Sequence, residues 1–299
     1  MDNVSINFNP ESLLILNIIL ALLMLGVSLS LKVDDFTRVL KKPLAPAIGL
    51  LCQFIILPAF TYALTQLLDM APSIALGMIL VSSCPGGVFS NVITFIGKGN
   101  VATSVSMTAI SSLSAVIMTP FNLTFYASLD PQTSEILSDV GISFSDVFTL
   151  IIMVLGLPLA TGMYVGHRFP AIERASVKPL RKLSLIVFIG FVFIAFINNA
   201  NLFAEYWPVF LWLVILHNGC ALLLGNLSAR LFKLQPDDRR AITFEVGIQN
   251  SGLGLVLLFT FMPNIGGAMM ITAFWGVWHL VTGSTLAFIW SRKAPDSTQ

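Results

Sequence analysis

Apolar and polar positions in this chain segregate over long distances. Runs of roughly 20 or more apolar residues, each long enough to cross a bilayer as an α-helix, alternate with short polar or Pro/Gly-marked separators. Nine spans are read, at about 11–31, 43–68, 72–97, 100–128, 146–166, 180–200, 206–232, 238–262 and 265–291. The separators fall at 32–42, 69–72, 98–100, 130–145, 167–179, 201–205, 233–237 and 263–266. The expected fold is an all-α polytopic membrane protein with nine transmembrane helices.

Charge tests that count through the positive-inside rule. With sides alternating, all 16 basic residues fall on one side, from Lys32, Arg38, Lys41, Lys42 and Lys98 through Arg168, Arg174, Lys178, Arg181 and Lys182 to Arg230, Lys233, Arg239, Arg240, Arg292 and Lys293. The other side carries Asp2, Glu11, Asp69, Asp130, Glu135, Asp139, Asp146 and Glu205 and no base. A wrong count would mix the two sets. The expected topology places the N-terminus outside and the C-terminus in the cytoplasm, in a cell (inner) membrane.

Composition agrees. Only 10% of residues are charged and 56% are hydrophobic, against about 25% charged in soluble domains. That excludes an ordinary cytosolic enzyme, a nucleic-acid binder and a disordered protein; no protein partner is inferred. Cys52, Cys84 and Cys220 sit in apolar runs without metal or redox spacing. Residues 1–10 contain no Lys or Arg and lack the basic start of a signal peptide, so the first run is expected to be a retained helix.

Polar groups inside the spans carry the chemistry. Fourteen of the 15 acids lie in loops, tails or span ends; Glu245 alone lies deep within a span. An ionisable group at that depth is costly and marks a functional site by default. Two spans are also interrupted, by Pro85-Gly86-Gly87 and by Gly247, Gly252 and Gly254 around Gln249-Asn250-Ser251. Pro removes a backbone donor and Gly weakens a helix; backbone freed at membrane depth needs protein, water or an ion to satisfy it. Ser104 and Thr108 are four apart and share a helix face. Gln53, Ser90, Asn91, Ser104, Thr108, Glu245 and Gln249 form a hard, oxygen-rich set with one negative charge, suited to an alkali cation. His217 and His279 read first as interhelical hydrogen bonders.

These residues resemble the bile acid:sodium symporter family. The similarity rests on Met24-Leu-Gly-Val-Ser-Leu-Ser-Leu-Lys-Val-Asp-Asp-Phe36, Cys84-Pro-Gly-Gly-Val-Phe-Ser-Asn-Val92, Leu216-His-Asn-Gly219, Glu245-Val-Gly-Ile-Gln-Asn-Ser-Gly252 and Val277-Trp-His279, in that order. The resemblance implies a Na⁺-driven importer of an organic anion (bile-acid-like, pantoate-like or another small organic acid) with two sodium sites. The first would use Ser90, Asn91, Ser104, Thr108 and Glu245. The second would use Gln53, Glu245 and Gln249 with the carbonyls of Val246 and Ile248. Val88, Asn250 and His279 would meet substrate. The implied architecture is a pair of inverted repeats whose two discontinuous helices cross. A panel (11–42 and 146–200) would face a core (43–128 and 206–291), with tails at 1–10 and 292–299. The first helix of the family's ten-helix form is expected to be missing. Val88 and Leu280 replace polar residues that bacterial relatives can carry, which leaves substrate identity open.

Charge arithmetic favours the same reading. Glu245 and a monoanion would place two negative charges in low dielectric, and two Na⁺ would cancel them. A proton-coupled carrier using Glu245 is the nearest rival; an intramembrane enzyme or a receptor are the rivals of another class. No HExxH or GxSxG motif is present.

Overall fold

The computed structural model describes residues 10–292 apart from 142 and 199. The tails at 1–10 and 292–299 lie outside the described residues except for Pro10 and Arg292. The described chain is helical, in the order α1 (Pro10–Ser28), α2 (Val33–Lys41), α3 (Leu44–Leu67), α4 (Pro72–Ser83), α5 (Phe89–Ile96), α6 (Val101–Ser128) and α7 (Pro131–Val140). It continues with α8 (Phe144–Arg168), α9 (Pro170–Asn198), α10 (Ala200–Leu231), α11 (Pro236–Gly247), α12 (Ser251–Phe261) and α13 (Gly266–Ser291). Four segments, Leu44–Leu67, Val101–Ser128, Phe144–Arg168 and Ala204–Leu231, are long and apolar enough to cross a membrane by themselves.

Helix α6 shows which way the protein faces its solvent. Leu113, Ile117, Phe121 and Phe125 are exposed, while Ser104, Thr108, Ser111, Ser112, Thr119 and Asn122 are buried. In water this arrangement would be inverted; here the apolar face meets lipid and the polar face meets protein.

Each run read as span three or span eight is two short helices. Helices α4 and α11 have 12 residues each and α12 has 11. A 12-residue helix is about 18 Å long, short of a hydrocarbon core of about 30 Å, so each half needs its successor to complete a crossing. The two pairs are entered through corners of the same conformation. Asp69 (φ 47°) ends α3 and Lys233 (φ 54°) ends α10 in the left-handed region. Beyond them, Met70 N–H donates to Thr65 O at 3.2 Å and Leu234 N–H to Ala229 O at 3.0 Å. Pro72 and Pro236 then start the next helix, where a missing N–H costs nothing.

Two long helices widen into a π turn, over Cys52–Ile56 in α3 and Ile152–Gly156 in α8, just before Pro58 and Pro158. Pro58 has no N–H to offer the Phe54 carbonyl. Asn122 Nδ2 of α6 bonds that carbonyl at 2.8 Å instead. The widening also falls on Gln53.

Helix α1 packs against α8 and α9, and touches the remaining helices through α12. Helices α4, α5, α10, α11 and α13 pack on one another. Arg240, buried, fastens the end of this group near the basic loops: Nη1 donates to Gly97 O at 2.8 Å and Trp290 O at 3.2 Å, and the guanidinium stacks 5.4 Å from the Trp290 ring centroid.

Several separators differ from the sequence reading. Most of 167–179 and 201–205 is helical, because α9 starts at Pro170 and α10 at Ala200, with Pro179 and Pro208 inside them. Segment 130–145 holds α7, capped by Asp130 Oδ1 accepting from Gln132 and Thr133 amides at 2.8 and 3.0 Å and closed by Gly141 at φ 67°. The Thr133 amide foremost holds the Asp130 carboxyl below its usual range. Segment 32–42 holds α2, started by Asp35 Oδ2 accepting from the Lys32 amide at 2.8 Å.

Candidate functional site

The two interruptions lie against each other. Gly86 and Gln249 form an antiparallel bridge, flanked by Gly87 N–H donating to Ile248 O at 2.6 Å and Asn250 N–H donating to Pro85 O at 2.8 Å. Each break therefore satisfies backbone groups that the other releases, which resolves the cost of irregular chain at this depth. The two glycines permit the approach. A Cβ at Gly86 would collide with Oε1 of Glu245, and one at Gly87 would lie 2.9 Å from the Gln249 carbonyl oxygen.

Glu245 sits at the end of α11, fully buried. Ser90 Oγ donates to its Oε2 and Thr108 Oγ1 to its Oε1 at 2.7 Å; Ser104 Oγ lies 3.3 Å from Oε2. Asn91 Oδ1 closes the ring, 2.8 Å from Ser104 Oγ and 3.3 Å from Thr108 Oγ1. Helices α5, α6 and α11 thus bring together all five residues expected for the first cation site. Among the described residues no Lys or Arg pairs with the carboxylate. Three hydroxyl protons are shared by three strong acceptors, so a hard cation fits this donor set.

The second set gathers beside it. Gln53 Nε2 donates to Cys84 O at 2.8 Å and to Gln249 Oε1 at 2.6 Å, and Gln249 Nε2 donates to Val246 O at 2.7 Å. Carbonyls only accept, so both amides have a fixed orientation. Gln53 Oε1 is left buried without a hydrogen-bond partner. An orphaned oxygen at this depth is costly, and a cation would satisfy it. Glu245 is hydrogen-bonded with the first set and, among the described residues, not with Gln53 or Gln249.

Of the residues expected to meet substrate, Val88 and Asn250 lie at the half-helix starts and His279 within α13. Val88, half-buried, precedes α5 without a side-chain cap. Asn250, also half-buried, caps α12 through Oδ1, which accepts from Leu253 N–H at 3.1 Å. His279 is buried on α13, with Nδ1 lacking a partner and its ring 5.4 Å from that of Trp275. It shares a face with Gly276 and Gly283, whose Cβ positions meet Ser251 and Ile248, so it faces the second break. His217 is an interhelical bonder: Nδ1 accepts from Trp275 Nε1–H at 3.0 Å and Nε2 lies 2.8 Å from Thr61 Oγ1.

The sequence reading missed other members. Thr94 Oγ1 reaches Ser104 Oγ at 3.3 Å; its spacing of four from Ser90 was the available signal. Thr119 Oγ1 donates to Ser83 O at 2.7 Å and Asn218 Nδ2 to Gly247 O at 2.7 Å, tying down the ends of α4 and α11. Asn218 lies in a quoted motif, but nothing local marks its carbonyl partner.

Comparison with known proteins places the chain among sodium-dependent transporters. The Sodium Bile acid symporter family matches residues 17–206. The "Uncharacterized sodium-dependent transporter YocS" of Bacillus subtilis (strain 168) is 36% identical over 282 residues, covering 93% of this chain and 83% of the relative. The chloroplastic "Probable sodium/metabolite cotransporter BASS1" of Arabidopsis thaliana is 34% identical over 284 residues, covering 94% and 67%. The human "Ileal sodium/bile acid cotransporter" is 28% identical over 254 residues, covering 84% and 70%. The protein is a multi-pass membrane transporter, not an enzyme. The chain belongs to the sodium bile acid symporter family.

Proposed function

We propose that the protein imports an organic anion by sodium-coupled symport, with two sodium sites at the crossing of the broken helices. The observation that carries this reading is Glu245, buried without a cationic partner among the described residues and ringed by oxygen ligands from α5 and α6. The first site uses Ser90, Asn91, Ser104, Thr108 and Glu245. The second uses Gln53, Gln249, the Val246 and Ile248 carbonyls, and Glu245, whose carboxylate faces both ions once they enter. The relatives' names, which pair sodium with a metabolite or a bile acid, support the coupling.

The chain crosses the membrane nine times, N-terminus outside, in two inverted repeats; the matching corners at Asp69 and Lys233 and the segregation of all basic residues support this. Helices α1, α8 and α9 form the panel and the rest of the spans the core. The core rocks against the panel and exposes the crossing alternately to each side. The carrier resides in the cell membrane.

An organic monoanion binds between panel and core, its head at the starts of α5 and α12, where helix N-termini offer partial positive charge and free amides. Asn250 Oδ1 is spent on its own cap, so Nδ2 is the group left for the anion. His279 and Val88 line the same end. Asn250→Leu is expected to weaken substrate binding about tenfold, as loss of a charge-assisted hydrogen bond implies, and to leave the sodium titration near wild type. Equal losses in both titrations would refute this placement.

The test of the cation sites is a sodium titration at fixed pH, read by thermal stabilisation and by uptake into proteoliposomes. Thr108→Ala and Gln53→Ala should each raise the sodium requirement about three- to tenfold, because each removes one oxygen ligand. Unchanged titrations in both variants, or uptake that follows pH and ignores sodium, would overturn the assignment.

A further inference from the structure

The motif Leu216-His-Asn-Gly219 supplies an amide that neither the cation ligands nor the anion contacts use. Asn218 is fully buried on α10, donating from Nδ2 to Gly247 O at 2.7 Å, while Thr282 Oγ1 of α13 donates to its Oδ1. A carbonyl can only accept, so Gly247 fixes which end of the amide faces it, and Thr282 holds the other end.

Gly247 occupies the middle of three carbonyls released where α11 ends. Val246 O accepts from Gln249 Nε2, Gly247 O from Asn218, and Ile248 O from Gly87 N–H. Ile248 is already extended, at φ −119° and ψ 95°. Peptide groups are planar, so fixing the direction of the Gly247 carbonyl restricts the peptide planes on both sides. Those planes carry the Val246 and Ile248 oxygens.

The first break has a counterpart with a different outcome. Gln53, on the helix preceding α4, donates to Cys84 O just as Asn218, on the helix preceding α11, donates to Gly247 O. Gln53 keeps a buried, unpartnered Oε1, whereas Thr282 consumes the Oδ1 of Asn218. One amide is left open to an ion and the other is closed to it.

We propose that Asn218, braced by Thr282, is a positioning residue for the second sodium site, orienting the Val246 and Ile248 carbonyls through Gly247 without itself touching the ion. This inference rests on the two-site reading above. The test is a sodium titration of the purified full chain, with choline holding ionic strength constant and thermal stabilisation as readout. Asn218→Leu and Thr282→Val should raise the half-saturating sodium concentration about three- to tenfold, the equivalent of one buried hydrogen bond. Thr282→Ser, which keeps the hydroxyl, should titrate like wild type. Thr282→Val combined with Gln53→Ala should do no more than the larger single change, whereas combined with Thr108→Ala the shifts should add. If Asn218→Leu does not fold, the Thr282 pair carries the test. A Thr282→Val protein that melts earlier in choline yet half-saturates at the wild-type concentration would overturn the proposal, as would failure of Thr282→Ser to restore it. Wild-type protein indifferent to sodium would remove the sodium reading itself, and this inference with it, before any variant is made.

Discussion

Glu245→Gln is expected to abolish sodium-driven uptake while leaving a folded protein. Gln matches Glu in shape and can keep one acceptor toward the Ser90 and Thr108 hydroxyls, which bond the carboxylate in the parent. It cannot supply the charge. Removing one member of a buried ion pair costs about 3–5 kcal/mol, which is roughly a hundredfold or more in affinity. The variant should therefore show no sodium-dependent transport at concentrations that saturate the parent. In sodium-free buffer it should melt no lower than the parent, because an uncompensated buried carboxylate is itself destabilising. Uptake with ordinary sodium dependence would sink the assignment, and a collapse in sodium-free stability would mark Glu245 as structural.

Gly86→Ala should be nearly as damaging through a single methyl group. The added Cβ would lie 2.8 Å from the Glu245 carboxyl carbon. Either the carboxylate leaves its hydroxyl ring or the two breaks separate. Overpacking of this kind costs about 1–3 kcal/mol, and both outcomes also disrupt the proposed ion site. Expected results are a lowered melting temperature and loss of uptake. Gly219→Ala, whose Cβ would meet nothing within 4 Å, is the matched control and should behave like the parent. Transport in Gly86→Ala at the control level would mean that close approach of the breaks is not required.

Much of this was legible in the amino-acid order because membranes make polarity informative. Glu245, Gln53, Ser104 and Thr108 stand out against apolar neighbours; the structure sets Ser104 and Thr108 on Glu245 and Gln53 on Gln249. Pro85-Gly86-Gly87 was legible only as a weakness in a helix. That its purpose is proximity to Glu245 and Gln249 depends on a partner far along the chain, which local pattern does not reveal. The same holds for Asn218: a lone amide announces polarity but not the carbonyl it will meet. Helix α7 was missed for another reason. Its signals, Asp130-Pro131 at the start and Gly141 at the end, were present in a segment read only for its lack of hydrophobicity. Pro179 misled in the opposite direction, since it was read as closing a separator and is carried inside a long helix.

The mutual satisfaction of the two breaks also dictates an order of assembly. Ser90 and Glu245 are separated by 155 residues, and the backbone partners of the first break lie equally far downstream. At roughly 5–20 residues per second of synthesis, that is a wait on the order of 10 s. During that interval Pro85 O and Gly87 N–H have been made and their partners have not. The N-terminal half therefore passes its early life with exposed backbone that hydrocarbon will not tolerate, and must be sheltered by water or by other protein until Ile248 and Asn250 arrive. The paired crossing is thus a late acquisition of the growing chain, and a stall between α6 and α11 would leave the backbone groups at Pro85 and Gly87 without these partners.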